Sequence, residues 1–182
     1  MKLENFCEIK NGIPINRYLD LDGNYKIKYF NLRSISNFTI KSENLLEGIL
    51  KKEIGDQYFT KKGDILLKLA EPNDVVLIDE ENTGLVISQY FGVVRVKEKR
   101  IDPGYLAHLL NSKKIKHQYK KMLEGGSINI LKLSTLKELE VKFPLLDEQI
   151  KLRKFWDLLM KKSQLMEKQT ELFEVYKREV IG

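Results

Sequence analysis

The chain has 182 residues, enough for one good core, or one core with an appendage, but not for two independent domains. With 42% hydrophobic and 32% charged residues it reads as globular rather than disordered, and its single cysteine excludes an internal disulfide and a cysteine-based zinc site. A formal net charge of +6 leans towards polyanionic partners.

The N-terminus, MKLENFCEIKNG, carries acids and an amide where a signal peptide needs an apolar run. No segment approaches the roughly 18 apolar residues of a membrane span, so cytoplasm is the expected setting. Cys7 lies among Leu3, Phe6 and Ile9 and reads as a small core residue. The first hundred residues read as strands punctuated by turns. In NYKIKYFNLRSI, Tyr25, Ile27 and Tyr29 alternate with Phe30 and Leu32, which predicts a strand covered on both faces. Lys62-Gly63-Asp64 is a turn signal before ILLKLA, and Glu71-Pro72-Asn73-Asp74 is another before VVLI. One or two further strands are expected between Leu85 and Val96. The expected sheet is antiparallel or mixed.

Helix begins at Asp102-Pro103, where the acid suits a cap and the proline the first helical position. Its apolar stripe is Leu106, Leu109 and Leu110. A second stripe, Ile115, Tyr119, Met122 and Leu123, follows Asn111-Ser112, which either caps a new helix or lies within a kinked one. Lys113, Lys114, Lys116, Lys120 and Lys121 crowd the opposite side, immediately before the loop EGGSINI. His108 and His117 are nine residues apart, a spacing that does not suit a helical metal pair, and read as surface or packing residues. Ser134 or Thr135 suits the cap of a single helical turn, and Leu139, Val141 and Phe143 then alternate as a strand ended by Pro144.

From Asp147 to Val180 the chain has neither glycine nor proline. Leu152, Leu159, Met166, Phe173 and Val180 recur every seven residues, with Leu158, Leu165 and Leu172 as a second series beside them. Two such stripes predict a long helix that packs against another helix. At 1.5 Å per residue it would extend about 50 Å, too far to be covered by a domain of this size. The expected division is therefore a domain over residues 1–145 and a helical region over 146–182. Asp147 and Glu148 stand where a helix N-terminus favours negative charge, and Leu145 and Leu146 are expected to pack at the junction.

Catalytic motifs are missing. None of the four prolines is followed by Asp, and no methyltransferase Asn-Pro-Pro or Asp-Pro-Pro element occurs. Neither a glycine-rich phosphate loop nor a Gly-x-Ser-x-Gly elbow is present, and two histidines give little support to a Ser-His-Asp triad.

The segments FCEIKNG, YFNLRSI, YFTKKGDILL, FGVVRV, PGYLAHLLNS, EGGSINIL and LKELEVKFPLLDEQIKL follow in this order and lead into the heptads. Together they resemble the specificity subunit of type I restriction–modification systems over almost the whole chain. The resemblance implies a mixed α/β (α+β) target recognition domain that reads one half of a split site in double-stranded DNA, followed by a coiled-coil-type helix that sets spacing. It also implies a non-catalytic chain without cofactors of its own. Methyltransferase (modification) subunits would bring S-adenosylmethionine, and a restriction subunit would bring ATP and magnesium. The family's full-length subunit carries two recognition domains and two long helices, whereas this chain carries one of each. It is either a half-length subunit or the front half of a longer one. A half-length subunit would form a homodimer through the helix, an isologous contact that fits the heptads. Two other readings stand beside this one: a regulatory or decoy fragment that holds partner subunits through the helix without productive DNA binding, and a module detached from a fused methyltransferase–nuclease.

Within this frame the candidate DNA-contacting residues are Lys10, Asn11 and Gly12 in an opening loop, Lys120 and Lys121 on the lysine-rich helix, and Gly125, Gly126, Ser127 and Asn129 in the loop after it. Arg33 suits a guanine edge or a phosphate, and equally an internal ion pair. Lys68, in an otherwise apolar strand, either snorkels to an edge or points into a functional groove. Gln89 follows a strand end, within reach of a base. Leu152, Leu159, Met166, Phe173 and Val180 are assigned to helix–helix contact rather than to DNA.

Overall fold

The computed structural model describes residues 1–123 and 130–181. Among these, strands β1 (Cys7–Asn11), β2 (Tyr25–Tyr29), β3 (Ile35–Ser36), β4 (Thr39–Ile40), β5 (Leu46–Leu50), β6 (Ile65–Lys68), β7 (Val75–Leu77) and β8 (Phe91–Val96) precede four helices. These are α1 (Pro103–Asn111), α2 (Lys113–Leu123), α3 (Leu133–Glu138) and α4 (Leu146–Tyr176), the last widening into a π-helical turn at Lys177–Ile181. The fold is mixed α/β, as expected, with antiparallel sheets.

The central sheet has the order β1-β8-β6-β7, antiparallel throughout. Side chains alternate across it, so both faces carry apolar residues. Ile65 and Leu67 of β6, with Val94 of β8, meet Leu3, Phe6 and the helical residues Leu106, Leu110, Ile115 and Leu136. Leu66, Val76, Phe91 and Val93 point the other way, towards Phe30, Ile35 and Ile87. The doubly covered strand is thus ILLK, not the Tyr25–Leu32 run for which it is expected. β2 pairs with β5 and, at Tyr29, by a single bridge with Val86, and Tyr25 and Leu32 are exposed.

Buried polar groups fix the turns between these strands. Asp64, fully engaged, receives two bonds from Arg95, at 2.9 and 3.0 Å, and one from the Lys61 backbone N–H at 2.9 Å. Arg95 also donates to the carbonyl of Phe59 at 3.0 Å. This paired fork ties the Lys-Gly-Asp turn to β8, with Gly63 supplying the required positive φ of 85°. The region from Leu85 to Val96 yields one strand, β8; Val86 and Ser88 make isolated bridges instead.

Asp102 caps α1 by accepting from the Tyr105 N–H at 2.7 Å. Asn111 at its other end both donates to and accepts from the backbone of Val75, at 2.7 and 3.0 Å, and Ser112 starts a separate helix by accepting from the Ile115 N–H. Ile115 and Tyr119 are buried, but Met122 is 45% exposed and does not join the expected stripe. Ser134 and Thr135 lie inside α3, which has no side-chain cap. The strand expected over Leu139–Phe143 is a single bridge, Lys2↔Glu140, because only the first few residues of the chain run beside it.

α4 leaves this body through a buried glutamine. Gln149, 1% exposed, accepts from the Asp102 N–H at 3.0 Å and donates to the carbonyls of Arg100 at 3.0 Å and Pro144 at 2.9 Å. Trp156 stacks on Tyr105, with ring centroids 5.7 Å apart, and His108 faces Asp157 at 2.7 Å. Leu145 does not pack at the junction; it is 82% exposed, because its carbonyl, not its side chain, opens the helix. Replacing Gln149 by Leu strands three buried backbone partners and is expected to lower stability by about 3 kcal/mol in urea unfolding.

Candidate nucleic-acid interface

Several of the predicted DNA residues meet at one end of the central sheet. Asn11 pairs with Gly92 and Lys68 with Phe91, so the C-terminal ends of β1 and β6 flank the start of β8. Gln89 and Tyr90, both exposed, form the turn just before it, where the Gln89 N–H donates to Ile13 at 2.7 Å and Tyr90 accepts from Leu69 at 2.9 Å. Ile130, which follows the Gly-Gly-Ser stretch, bridges Ala70 two residues beyond Lys68. Gly125, Gly126, Ser127 and Asn129 themselves lie outside the described residues. Lys120 and Lys121 are exposed on the last turn of α2, and no contact joins them to the sheet end. Lys116, from the same lysine run, is not free: it reaches Asp74 at 3.5 Å and lies 4.7 Å above the Phe38 ring.

Arg33 and Lys68, far apart in sequence, line one cleft of about 410 Å³ together with Lys41, Glu43 and Asn44. Short polar side chains hold its walls. Asn31 accepts from the Arg33 N–H at 2.8 Å, Asn44 donates to the Arg33 carbonyl at 3.3 Å, and Ser34 donates to the Asn44 carbonyl at 3.0 Å. The Lys41 N–H donates to Ser34 at 2.9 Å. On the sheet side, the Lys68 N–H donates to Asp74 at 2.9 Å and its carbonyl accepts from the buried Asn73 side chain at 3.1 Å. Among the described residues no carboxylate lies within 4 Å of the charged ends of Arg33, Lys41 or Lys68. Cations clustered in one cleft without a carboxylate partner suit a polyanion. Among the described residues there is no cluster of His, Cys, Asp and Glu that could hold a metal ion, and no helix is long and apolar enough to cross a membrane.

Residues 1–174 match the family described as "Type I restriction modification DNA specificity domain". This chain belongs to that family. A specificity domain is the non-catalytic part of such a system, which accounts for the missing nuclease and methyltransferase motifs. The fold of this specificity domain is that of the HsdS subunit from Thermoanaerobacter tengcongensis, at TM-score 0.70 and 18% identity over 98% of this chain and 46% of that one. It is similar to a chain from a structure of complex assembly and conformational transition of the type I R-M system, at 0.65 and 20% over 98% and 44%. The S subunit from M. genitalium gives 0.56 and 18% over 98% and 42%. The specificity domain thus spans less than half the length of each of these neighbours. No curated protein matches the chain.

Arg33 and Lys68 both line this cleft, and among the described residues Arg33 has no ion-pair partner, whereas Arg95 pairs with Asp64. Lys41 and Asn44 escape the sequence reading. The signal for them is the two-residue Asn37-Phe38 turn, with φ of 50° and 60°, which makes a hairpin of β3 and β4 and sets residue 41 opposite residue 34. Lys10, Asn11 and Gly12 do not form a loop. Lys10 and Asn11 end β1, and Lys10 is paired with Glu8 at 2.6 Å. Gly12 is buried where a Cβ would stand 2.1 Å from the Ser88 carbonyl oxygen, so it serves backbone packing. Gly12→Ala is therefore expected to cost about 3 kcal/mol of stability in denaturant titration while leaving DNA affinity per folded molecule unchanged.

Proposed function

We propose that this chain reads one half of a bipartite DNA site as a non-catalytic specificity subunit, pairs with a second copy through α4, and docks methyltransferase subunits. The observation that carries the reading beyond the family assignment is the state of α4. Leu158, Leu159, Leu165, Met166, Leu172 and Phe173 all stand exposed along it, Leu158 at 68%, and Val180 continues the stripe into the π-helical turn. Leu152, nearest the domain, is partly covered. Beyond Gln164, whose amide reaches Thr39 at 3.0 Å, the helix runs clear of the domain. A stripe of this length on a projecting helix needs an apolar partner, and a second α4 presents the same surface.

In this assembly the two domains face related half-sites, and the helix pair sets the distance between them. S-adenosylmethionine, ATP and magnesium belong to the modification and restriction subunits, which take the chemistry; this chain supplies the address. Light scattering behind size exclusion is expected to give a dimer at tens of micromolar, and Leu159→Lys with Met166→Lys a monomer with an unchanged melting temperature. A strict wild-type monomer would sink the pairing. Methylation mapping after co-expression with a modification subunit is expected to show a gapped, palindromic, adenine-methylated site. Loss of methylation relative to the partner subunits alone would instead assign the chain as a decoy.

A further inference from the structure

We infer that the cleft at the root of the β3–β4 hairpin seats one backbone phosphate of the DNA, held by Arg33, Lys41 and Lys68. This rests on the DNA-reading role proposed above and names the part of the DNA engaged there.

Charge pairing makes the first argument. Several lysines elsewhere on the domain have carboxylate partners, Lys62 with Glu80 at 2.6 Å, Lys28 with Glu47 at 3.2 Å and Lys116 with Asp74 at 3.5 Å; what sets the cleft apart is that three cations line one hollow. The three cleft cations have none within 4 Å, although Glu43 lines the same cleft. Lys68 is partly buried at the end of an apolar strand, and among the described residues no carboxylate comes within 4 Å of it. An anion from outside supplies the counter-charge.

The donor set makes the second. Arginine and lysine heads only donate; a phosphate offers acceptor oxygens to three of them at once, whereas the most accepting base edge, that of guanine, offers two acceptors in the major groove. Asn44, which could serve both ways, already gives its amide to the Arg33 carbonyl. Three cations against one carboxylate leave the cleft positive, and the backbone of each cation is hydrogen-bonded in place. Glu43 opposes a phosphate here, which gives the inference an unusual sign: removing that acid strengthens binding.

The test is fluorescence anisotropy with the full chain on two duplexes of unrelated sequence, over a salt series. Arg33→Gln and Lys68→Gln are each expected to weaken binding about tenfold on both duplexes, the loss of one charge-assisted hydrogen bond. Each lowers the slope of log K against log salt by up to about 0.9, the share of one phosphate. Glu43→Gln is expected to tighten binding on both. Arg33 is exposed, so its variant keeps the test valid if the Lys68 variant unfolds. Unchanged affinity and slope in Arg33→Gln, with Lys120→Gln still weakening binding, would overturn the cleft and leave the DNA role standing. A loss confined to one duplex would assign base reading and overturn the phosphate. No salt-dependent binding by the wild type overturns both.

Discussion

One buried amide decides where the long helix points. Gln149 joins the segment between β8 and α1, at Arg100 and the Asp102 N-cap, to the proline just before α4. An amide is suited to this because it accepts once and donates twice from one planar group; a carboxylate could not donate to the two carbonyls, and a leucine could satisfy none of the three. Around it Trp156 stacks on Tyr105, Arg153 lies 3.6 Å from Asp102, and His108 meets Asp157. The first three turns of α4 are thereby fixed against α1, and the rest of the helix inherits their direction.

Short and long polar side chains divide the labour in the reading domain. Asn31, Ser34, Asn44, Asn73 and Asn111 spend their hydrogen bonds on nearby backbone, closing turns and tying α1 to β7. Arg95 and Asp64 do the same across a longer gap. With the backbone held in this way, Arg33, Lys41 and Lys68 keep their heads free. The helix follows the opposite logic: nearly every residue past Gln164 is exposed, and its apolar stripes have no cover within one copy. The domain buries its own apolar residues, whereas the apolar stripes of the helix stand exposed.

Much of this was legible in the residues. Turn signals before apolar runs marked β6 and β7, Asp102-Pro103 marked the start of α1, and the heptads marked α4, because turns, caps and seven-residue spacing are local properties. The ordered motifs also pointed to the right family. The motifs were less informative about which residues touch what. Gly12 looked like part of a binding loop and is a packing glycine; the Lys-Gly-Asp turn looked like punctuation and carries the Arg95 partner; Leu145 and Leu146 looked like junction packing, yet Leu145 is open to solvent.

Gln149 shows where that boundary lies. The sequence by itself determined that a helix begins beside Asp147 and Glu148, that it is long, and that it carries an apolar stripe, since capping charge, the absence of helix breakers and seven-residue spacing are all local properties. Only the tertiary structure decided that Gln149 is buried and bonded to Arg100, Asp102 and Pro144, that Arg33 and Lys68 share a cleft, and that Lys116 is taken by Asp74. Apart from the bond to Pro144, each of these depends on segments tens of residues apart being brought together, and the reach of a hydrogen bond or an ion pair leaves no trace in the spacing of the residues that make it.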